Sequence, residues 1–170
     1  KSKIICHLPM GSLLSVMMIN GNWATVKLPS FYNLKTAHVP TTHIVNIGYR
    51  TRDWVKIAEQ LLNTPYKWGG RDTLGIDCSA LLQLSYQTYG ENIPRNTSQQ
   101  LKLQKKVIVN IDDLERGCVI FWDGHVGIMT NSLYCIHANA YHMKTKIELL
   151  SNIIERMGED SSIIKMMNFN

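Results

Sequence analysis

The fold turns on Ile76-Asp77-Cys78-Ser79-Ala80-Leu81-Leu82-Gln83-Leu84-Ser85-Tyr86, preceded by Tyr66-Lys67-Trp68-Gly69-Gly70-Arg71-Asp72. Ala80, Leu81, Leu82, Leu84 and Tyr86 supply the apolar side of a helix over Ser79–Tyr89, which Gly90 ends and Cys78 opens. A thiol at a helix N-terminus meets the positive end of the dipole, which favours thiolate and lowers its pKa. Thiolate is the nucleophilic form, so a catalytic cysteine belongs at such a place. The competing reading is structural, since free cysteines are among the most buried side chains. Asp77 has the side chain of an N-cap, which stabilises a helix by about 1 kcal/mol.

Features downstream favour chemistry. Asp123-Gly124-His125-Val126-Gly127-Ile128-Met129 reads as a turn feeding a strand, with His125 at the strand start. Tyr134-Cys135-Ile136-His137-Ala138-Asn139 reads as the next strand, with His137 at its end. The separation of 12 positions between the histidines suits two antiparallel neighbours, which would set His137 beside His125. A general base needs a partner for its second ring nitrogen, and His137 can accept that bond. A cysteine on a helix followed by two sheet residues is the papain-like order.

These residues resemble the NlpC/p60 cell-wall cysteine peptidases, compact papain-like enzymes of bacteria. Thr64-Pro65-Tyr66-Lys67-Trp68-Gly69-Gly70 is similar to the family's opening motif, Asp77-Cys78-Ser79 to its nucleophile motif, Gly124-His125-Val126-Gly127-Ile128 to its base motif and His137-Ala138-Asn139-Ala140 to its third-residue motif. Pro94-Arg95-Asn96-Thr97-Ser98-Gln99-Gln100 is similar to the segment after the nucleophile helix, where the family often has Asp at the position of Asn96. The match runs from about Arg50 to Asn170. The resemblance implies Cys78 as nucleophile and His125 as general base and then acid. It implies His137 as the residue that holds the imidazole, and Tyr66 as an oxyanion donor beside the Cys78 N–H. Preorganised donors of this kind each lower a barrier by about 2.7–4 kcal/mol. Asp77 and Ser79 then read as a clamp for a substrate α-ammonium, with the N-cap as the alternative for Asp77. Arg71 either pairs with Asp72 or meets a substrate carboxylate. Trp68 either packs under the Gly69-Gly70 turn or faces substrate.

The implied reaction is hydrolysis of the γ-D-glutamyl–diamino acid bond of peptidoglycan stem peptides, meso-diaminopimelate being the expected diamino acid. It would release L-Ala-γ-D-Glu from muropeptides with a free amino terminus, with no metal and no cofactor. Alternatives are an amidase or acyltransferase on the same fold, or a non-catalytic cell-wall-binding module. A recycling enzyme would work in the cytoplasm, a wall enzyme in the periplasm or outside the cell. No signal-peptide pattern precedes the first expected strand, and the chain does not begin with Met.

Composition fits this reading. The 170 residues suffice for one sizeable domain and a small one. The net charge of +5 comes from scattered Lys and Arg with no aromatic-basic stripe, which speaks against nucleic acid and for mild attraction to anionic wall material. No apolar run approaches the roughly 18 residues of a membrane span, and no protein partner is expected. Cys6, Cys78, Cys118 and Cys135 have no disulfide signature, and Cys118 and Cys135 read as buried small apolar residues. A zinc site from Cys118, Cys135 and His137 lacks any C-x-x-C pair.

Residues 1–47 have a different texture, with short strands expected at Lys3–His7, Leu13–Ile19, Trp23–Leu28 and Ala37–Pro40 and a hairpin turn at Asn20-Gly21. They resemble the bacterial SH3-like barrels that precede this peptidase, here lacking the first strand. Such a module would cover one end of the cleft. Residues 48–170 would be the peptidase domain. It opens with a helix after Asp53 marked by Trp54, Ile57, Ala58, Leu61 and Leu62. A second short helix is expected over Thr97–Lys105, capped by Thr97 and Gln100. Strands follow at Val107–Ile111, Val119–Trp122, Val126–Thr130, Leu133–His137, Lys144–Leu149 and Ile163–Met167, with a helical turn at Ser151–Met157. The expected class is α+β, helices packed on an antiparallel sheet. His7, His38, His43 and His142 read as surface or strand residues rather than ligands, with a place lining the cleft as the alternative for His142. Asp112, Asp113 and Glu115 read as a solvated turn.

Overall fold

A computed structural model describes residues 3–30, 32–158 and 162–170. They form two compact units divided between Tyr49 and Arg50. The first holds one antiparallel sheet of β1 (Val16–Asn20), β2 (Trp23–Lys27) and β3 (Thr36–Pro40), in that order. Gly21 and Asn22 make the β1–β2 turn, and Gly21 takes φ +55°, which glycine adopts without penalty. Ala24 and Val26 on β2 are the buried apolar side chains of this unit. The strand expected at Lys3–His7 is absent, because those residues find no ladder partner and stay exposed. Among the described residues the sheet of this unit has three strands, with β1 and β3 at its edges.

In the second unit α1 (Val55–Gln60) is followed by a small hairpin of β4 (Arg71–Asp72) and β5 (Gly75–Ile76). The long helix α2 (Cys78–Gln87) and the short α3 (Thr97–Gln100) come next. The remaining elements are β6 (Lys106–Ile108), β7 (Cys118–Trp122), β8 (His125–Met129), β9 (Tyr134–Asn139), β10 (Lys144–Leu149), α4 (Leu150–Met157) and β11 (Lys165–Asn168). Six strands make one antiparallel sheet in the order β10-β9-β8-β7-β11-β6. Helix α2 packs on β8 and β9, and α4 against β10. The chain is thus α+β, with helices laid on an antiparallel sheet.

Strand β7 is buried along its whole length, which is why its sequence is a continuous apolar run rather than an alternating one. Its Cys118, Ile120 and Trp122 join Met129, Cys135, Leu150 and Ile153 in one core cluster. Cys118 and Cys135 thus pack as expected. Helix α1 starts at the Asp53 carboxylate, which accepts the Lys56 N–H at 3.3 Å. Its Trp54 meets Tyr86 of α2 edge to face at 5.2 Å, fixing the two helices together. Leu62 lies past the end of α1 and is exposed, and Val55 takes the buried place expected for it. The second short helix stops at Gln100, and the Gln100 amide donates to the carbonyls of Ser79 and Pro94 instead of forming a cap. No helix among the described residues is long and apolar enough to cross a membrane.

Candidate active site

The loop before α2 is fixed by backbone bonds on both sides. The Tyr66 N–H donates to Met143 O at 2.9 Å, and Ile76 N–H donates to Pro65 O at 2.9 Å. Gly70 has no room for a side chain, because a Cβ there would lie 2.4 Å from the Gly75 carbonyl oxygen. This packing sets Tyr66 close enough to Cys78 and Asp77 for both to raise its phenol pKa, after burial, so Tyr66 is a neutral hydroxyl donor.

Asp77 is the N-cap of α2, accepting the Ala80 N–H at 2.8 Å. It also accepts the Gly69 N–H at 2.9 Å and the Ser79 hydroxyl at 3.1 Å. Arg95 closes the group: its guanidinium donates to both Asp77 oxygens at 2.8 and 2.6 Å, to Ser79 Oγ at 2.8 Å and to Gly70 O at 3.2 Å. Burial works against the Asp77 carboxylate, but Arg95 and the Ala80 N–H hold its pKa below the ordinary value. Sequence alone assigns Arg95 no role. Its partner lies 18 residues away, a pairing only the folded chain reveals.

Cys78 is 6% exposed. Its sulfur receives the backbone N–H of Val126 and lies 3.9 Å from Thr97 Oγ1. Burial pushes the thiol pKa up, and the Asp77 carboxylate adds to that. The N–H groups of Val126 and Ser79 and the Thr97 hydroxyl pull the other way without cancelling it. Where the helix terminus alone would lower the thiol pKa, burial raises it. Val126, whose N–H acts on the Cys78 sulfur, follows His125 at the start of β8.

The His125 Nε2 lies 2.8 Å from His137 Nδ1. Gly127 makes the approach of β9 possible, since a Cβ there would lie 2.4 Å from Cys135 Sγ and 3.7 Å from the His137 Cβ. Burial, with repulsion from His137 and Arg156, holds His125 well below the usual imidazole value of 6.5. His137 is lowered as well, mainly by burial, although Glu148 opposes that shift. A neutral imidazole is the form that can take a proton from a thiol.

A cavity of about 430 Å³ adjoins the sulfur, lined by Cys78, Asp77, Ser79, Arg95, Asn96, Thr97, Ser98, Gly124, Gly69 and Trp68. Trp68 is 80% exposed at its lip and does not pack under the glycine turn. Arg71 is turned along α2, donating to Gln83 Oε1 at 2.9 Å and Gln87 Oε1 at 3.2 Å, and does not line the cavity. The Asp72 carboxylate caps the hairpin tip at Leu74 and Gly75 rather than meeting Arg71. His142 lies 3.2 Å from Glu148 and outside the cavity. Among the described residues no three ligating side chains are grouped to hold a metal ion.

Residues 63–157 match the NlpC/P60 family. The chain is 35% identical over 140 residues to dipeptidyl-peptidase 6 of Lysinibacillus sphaericus, covering 67% of this chain and 51% of that protein. It is 30% identical over 94 residues to the γ-D-glutamyl-L-lysine dipeptidyl-peptidase of Bacillus subtilis, covering 51% of this chain and 31% of that one. The fold superposes on an NlpC/P60 family protein from Bacillus cereus with a TM-score of 0.74 and 22% identity, over 92% of this chain and 53% of the other. The chain spans about half the length of the first of these relatives and less of the second. With the family match extending over more than half of its length, this chain belongs to the NlpC/P60 family.

Proposed function

We propose that the chain is a cysteine peptidase that hydrolyses the γ-D-glutamyl–diamino acid bond of peptidoglycan stem peptides, releasing L-Ala-γ-D-Glu from those with a free amino terminus. The observation that carries it is Cys78 at the start of α2, with the Val126 N–H on its sulfur and the His125–His137 contact at 2.8 Å. In this reading Cys78 Sγ attacks the γ-carbonyl carbon as His125 takes the thiol proton. The oxyanion collects the Cys78 N–H and the Tyr66 hydroxyl. His125 returns the proton to the leaving amine, and water then hydrolyses the thioester. His137 keeps the imidazole oriented throughout.

The cavity lining supports a polar, charged substrate end. Asp77 and Ser79 face it, but Arg95 already holds both, so an α-ammonium there would share the carboxylate with Arg95. The names of the two curated relatives point to dipeptide release, and the second to a γ-D-glutamyl bond. Residues 1–47 are read as a bacterial SH3-like module.

The test is mass spectrometry of products from L-Ala-γ-D-Glu-meso-diaminopimelate, with and without an N-acetyl block. Release of L-Ala-γ-D-Glu from the free-amine peptide alone is expected. Equal cutting of both forms would make the chain an endopeptidase without amino-terminal selection. Cutting of neither would overturn the γ-glutamyl assignment. Cys78→Ala should lower kcat by about a millionfold, the scale seen when a nucleophile is removed.

A further inference from the structure

His137 has partners on both ring nitrogens. Its Nδ1 faces His125 Nε2 at 2.8 Å, and its Nε2 faces Glu148 Oε1 at 2.7 Å. His137 is 2% exposed and Glu148 8% exposed, so water does not substitute for these partners. Glu148 reaches His137 because Lys146 is the residue opposite His137 in the β9–β10 register, and Glu148 stands two further along the same face.

We propose that Glu148 is a positioning residue for His125, acting through His137 by fixing the tautomer of both imidazoles. A neutral imidazole has one N–H and one bare nitrogen. If His137 carries its proton on Nε2 and donates to Glu148, its Nδ1 is bare and accepts the His125 Nε2–H. His125 Nδ1 is then the bare nitrogen, free to act as the base. In the opposite arrangement His137 donates from Nδ1 to His125. Its bare Nε2 then faces a carboxylate oxygen at 2.7 Å, and His125 holds its proton on Nδ1, where it cannot serve as a base. An ionised Glu148 excludes that arrangement.

The groups around Glu148 keep it ionised. Arg156 of α4 donates to both of its oxygens, at 3.0 and 2.7 Å, and His142 Nε2 lies 3.2 and 3.3 Å from them. Arg156 is itself covered by the Tyr141 ring at 4.5 Å. One neighbour opposes the assignment: Asn139 Nδ2 lies 3.1 Å from His137 Nε2 and would favour a bare nitrogen there. The Asn139 amide is oriented by the His142 N–H, which donates to its Oδ1 at 2.8 Å. The carboxylate is nearer and charged, and charge-assisted bonds are roughly twice as strong as neutral ones, so Glu148 prevails.

The role of Glu148 rests on the cysteine-nucleophile reading, but its test needs no peptide substrate. Ring ¹⁵N chemical shifts of the full chain, at neutral pH, should show protonated Nε2 and bare Nδ1 on both His125 and His137. A proton on His137 Nδ1 in the unaltered chain would overturn the proposal. In Glu148→Gln the amide can donate or accept, and the ¹⁵N shifts should move to a mixture of tautomers. Alkylation of Cys78 by iodoacetamide, followed by peptide mass to separate it from the exposed Cys6, should slow and change its pH profile. Loss of roughly 10-fold to 100-fold is expected, as for outer partners of metal-bound imidazoles. Glu148→Asp should recover part of that loss. Unchanged shifts and an unchanged alkylation profile in Glu148→Gln, with only a lower Tm, would reduce Glu148 to a structural residue. If the tautomers hold while the stem peptide is not cut, the substrate assignment fails and the positioning role stands.

Discussion

The three-stranded and the six-stranded sheet of this chain use similar apolar residues and treat them in opposite ways. In β1, Val16, Met17, Met18 and Ile19 are all exposed, whereas every residue of β7 is buried. The six-stranded sheet also buries polar groups, His137, Asn139, Thr145 and Glu148 among them. A buried charge is tolerated only when it is paired, so a sheet that buries His137 and Glu148 must also position them. The difference teaches where chemistry can be held to a fixed geometry. It resides in the sheet where His137, Asn139 and Glu148 lack water and have protein partners instead.

Acid should expose this contrast most strongly. His125 and His137 have folded pKa values below 6.5, so below that pH the unfolded chain binds protons that the folded chain refuses. Their contribution is complete above pH 6.5 and is lost as pH falls toward the folded values. Against burial, Arg156, His137 and His142 hold Glu148 down to about 2 from 4.5. Its contribution is complete above pH 4.5 and is lost as pH falls through that interval, on the order of 3 kcal/mol for this carboxylate. Urea titrations between pH 7 and pH 4 should therefore show falling stability. Glu148→Gln should flatten the part below pH 4.5. A stability independent of pH over that range would mean these groups are not held as described.

How much of this was readable in advance depended on distance along the chain. Strand β10 was legible to its ends: Lys144-Thr145-Lys146-Ile147-Glu148-Leu149 is both the strand expected and the strand formed. The β8–β9 pair and the His125–His137 contact followed from a short connection. The β4–β5 hairpin was missed because two-residue strands carry no periodicity. Lys3–His7 had strand-like residues, but a strand needs a neighbour as well as propensity. Arg95 and Glu148 were missed for a related reason. A charge in sequence does not announce its partner, and theirs lie 18 and 11 residues away. The thiol of Cys78 was misjudged because the helix terminus is local and visible, whereas burial is a property of the whole fold.

A smaller effect should come from Gly127, where the two central strands of the site are tightest. Gly127→Ala would place a methyl 2.4 Å from Cys135 Sγ, so β8 or the cysteine must shift. Overpacking of this kind costs about 1–3 kcal/mol. Cys135→Ala removes the obstructing sulfur, and the double variant should be less unstable than the sum of the two single ones. Additive losses in urea unfolding would place the strain elsewhere, most directly on Trp122, the next nearest side chain at 3.3 Å.

The smallest effect belongs to the other sheet. Met17 is 62% exposed on β1, an edge strand of the three-stranded sheet. Met17→Lys removes little buried area and adds the kind of charge that natural edge strands carry to discourage pairing with other chains. Its effect on stability should lie within about 0.5 kcal/mol, the range of ordinary surface substitutions. Met129 of β8 is fully buried in the core cluster, and Met129→Lys would set an unpaired ammonium there. That change should cost more than any surface substitution, because a buried charge without a partner is strongly unfavourable. The pair of methionines thus holds side-chain chemistry constant and varies only the sheet. Equal losses would break the comparison: they would mean that the exposed row of β1 is covered in solution by another surface.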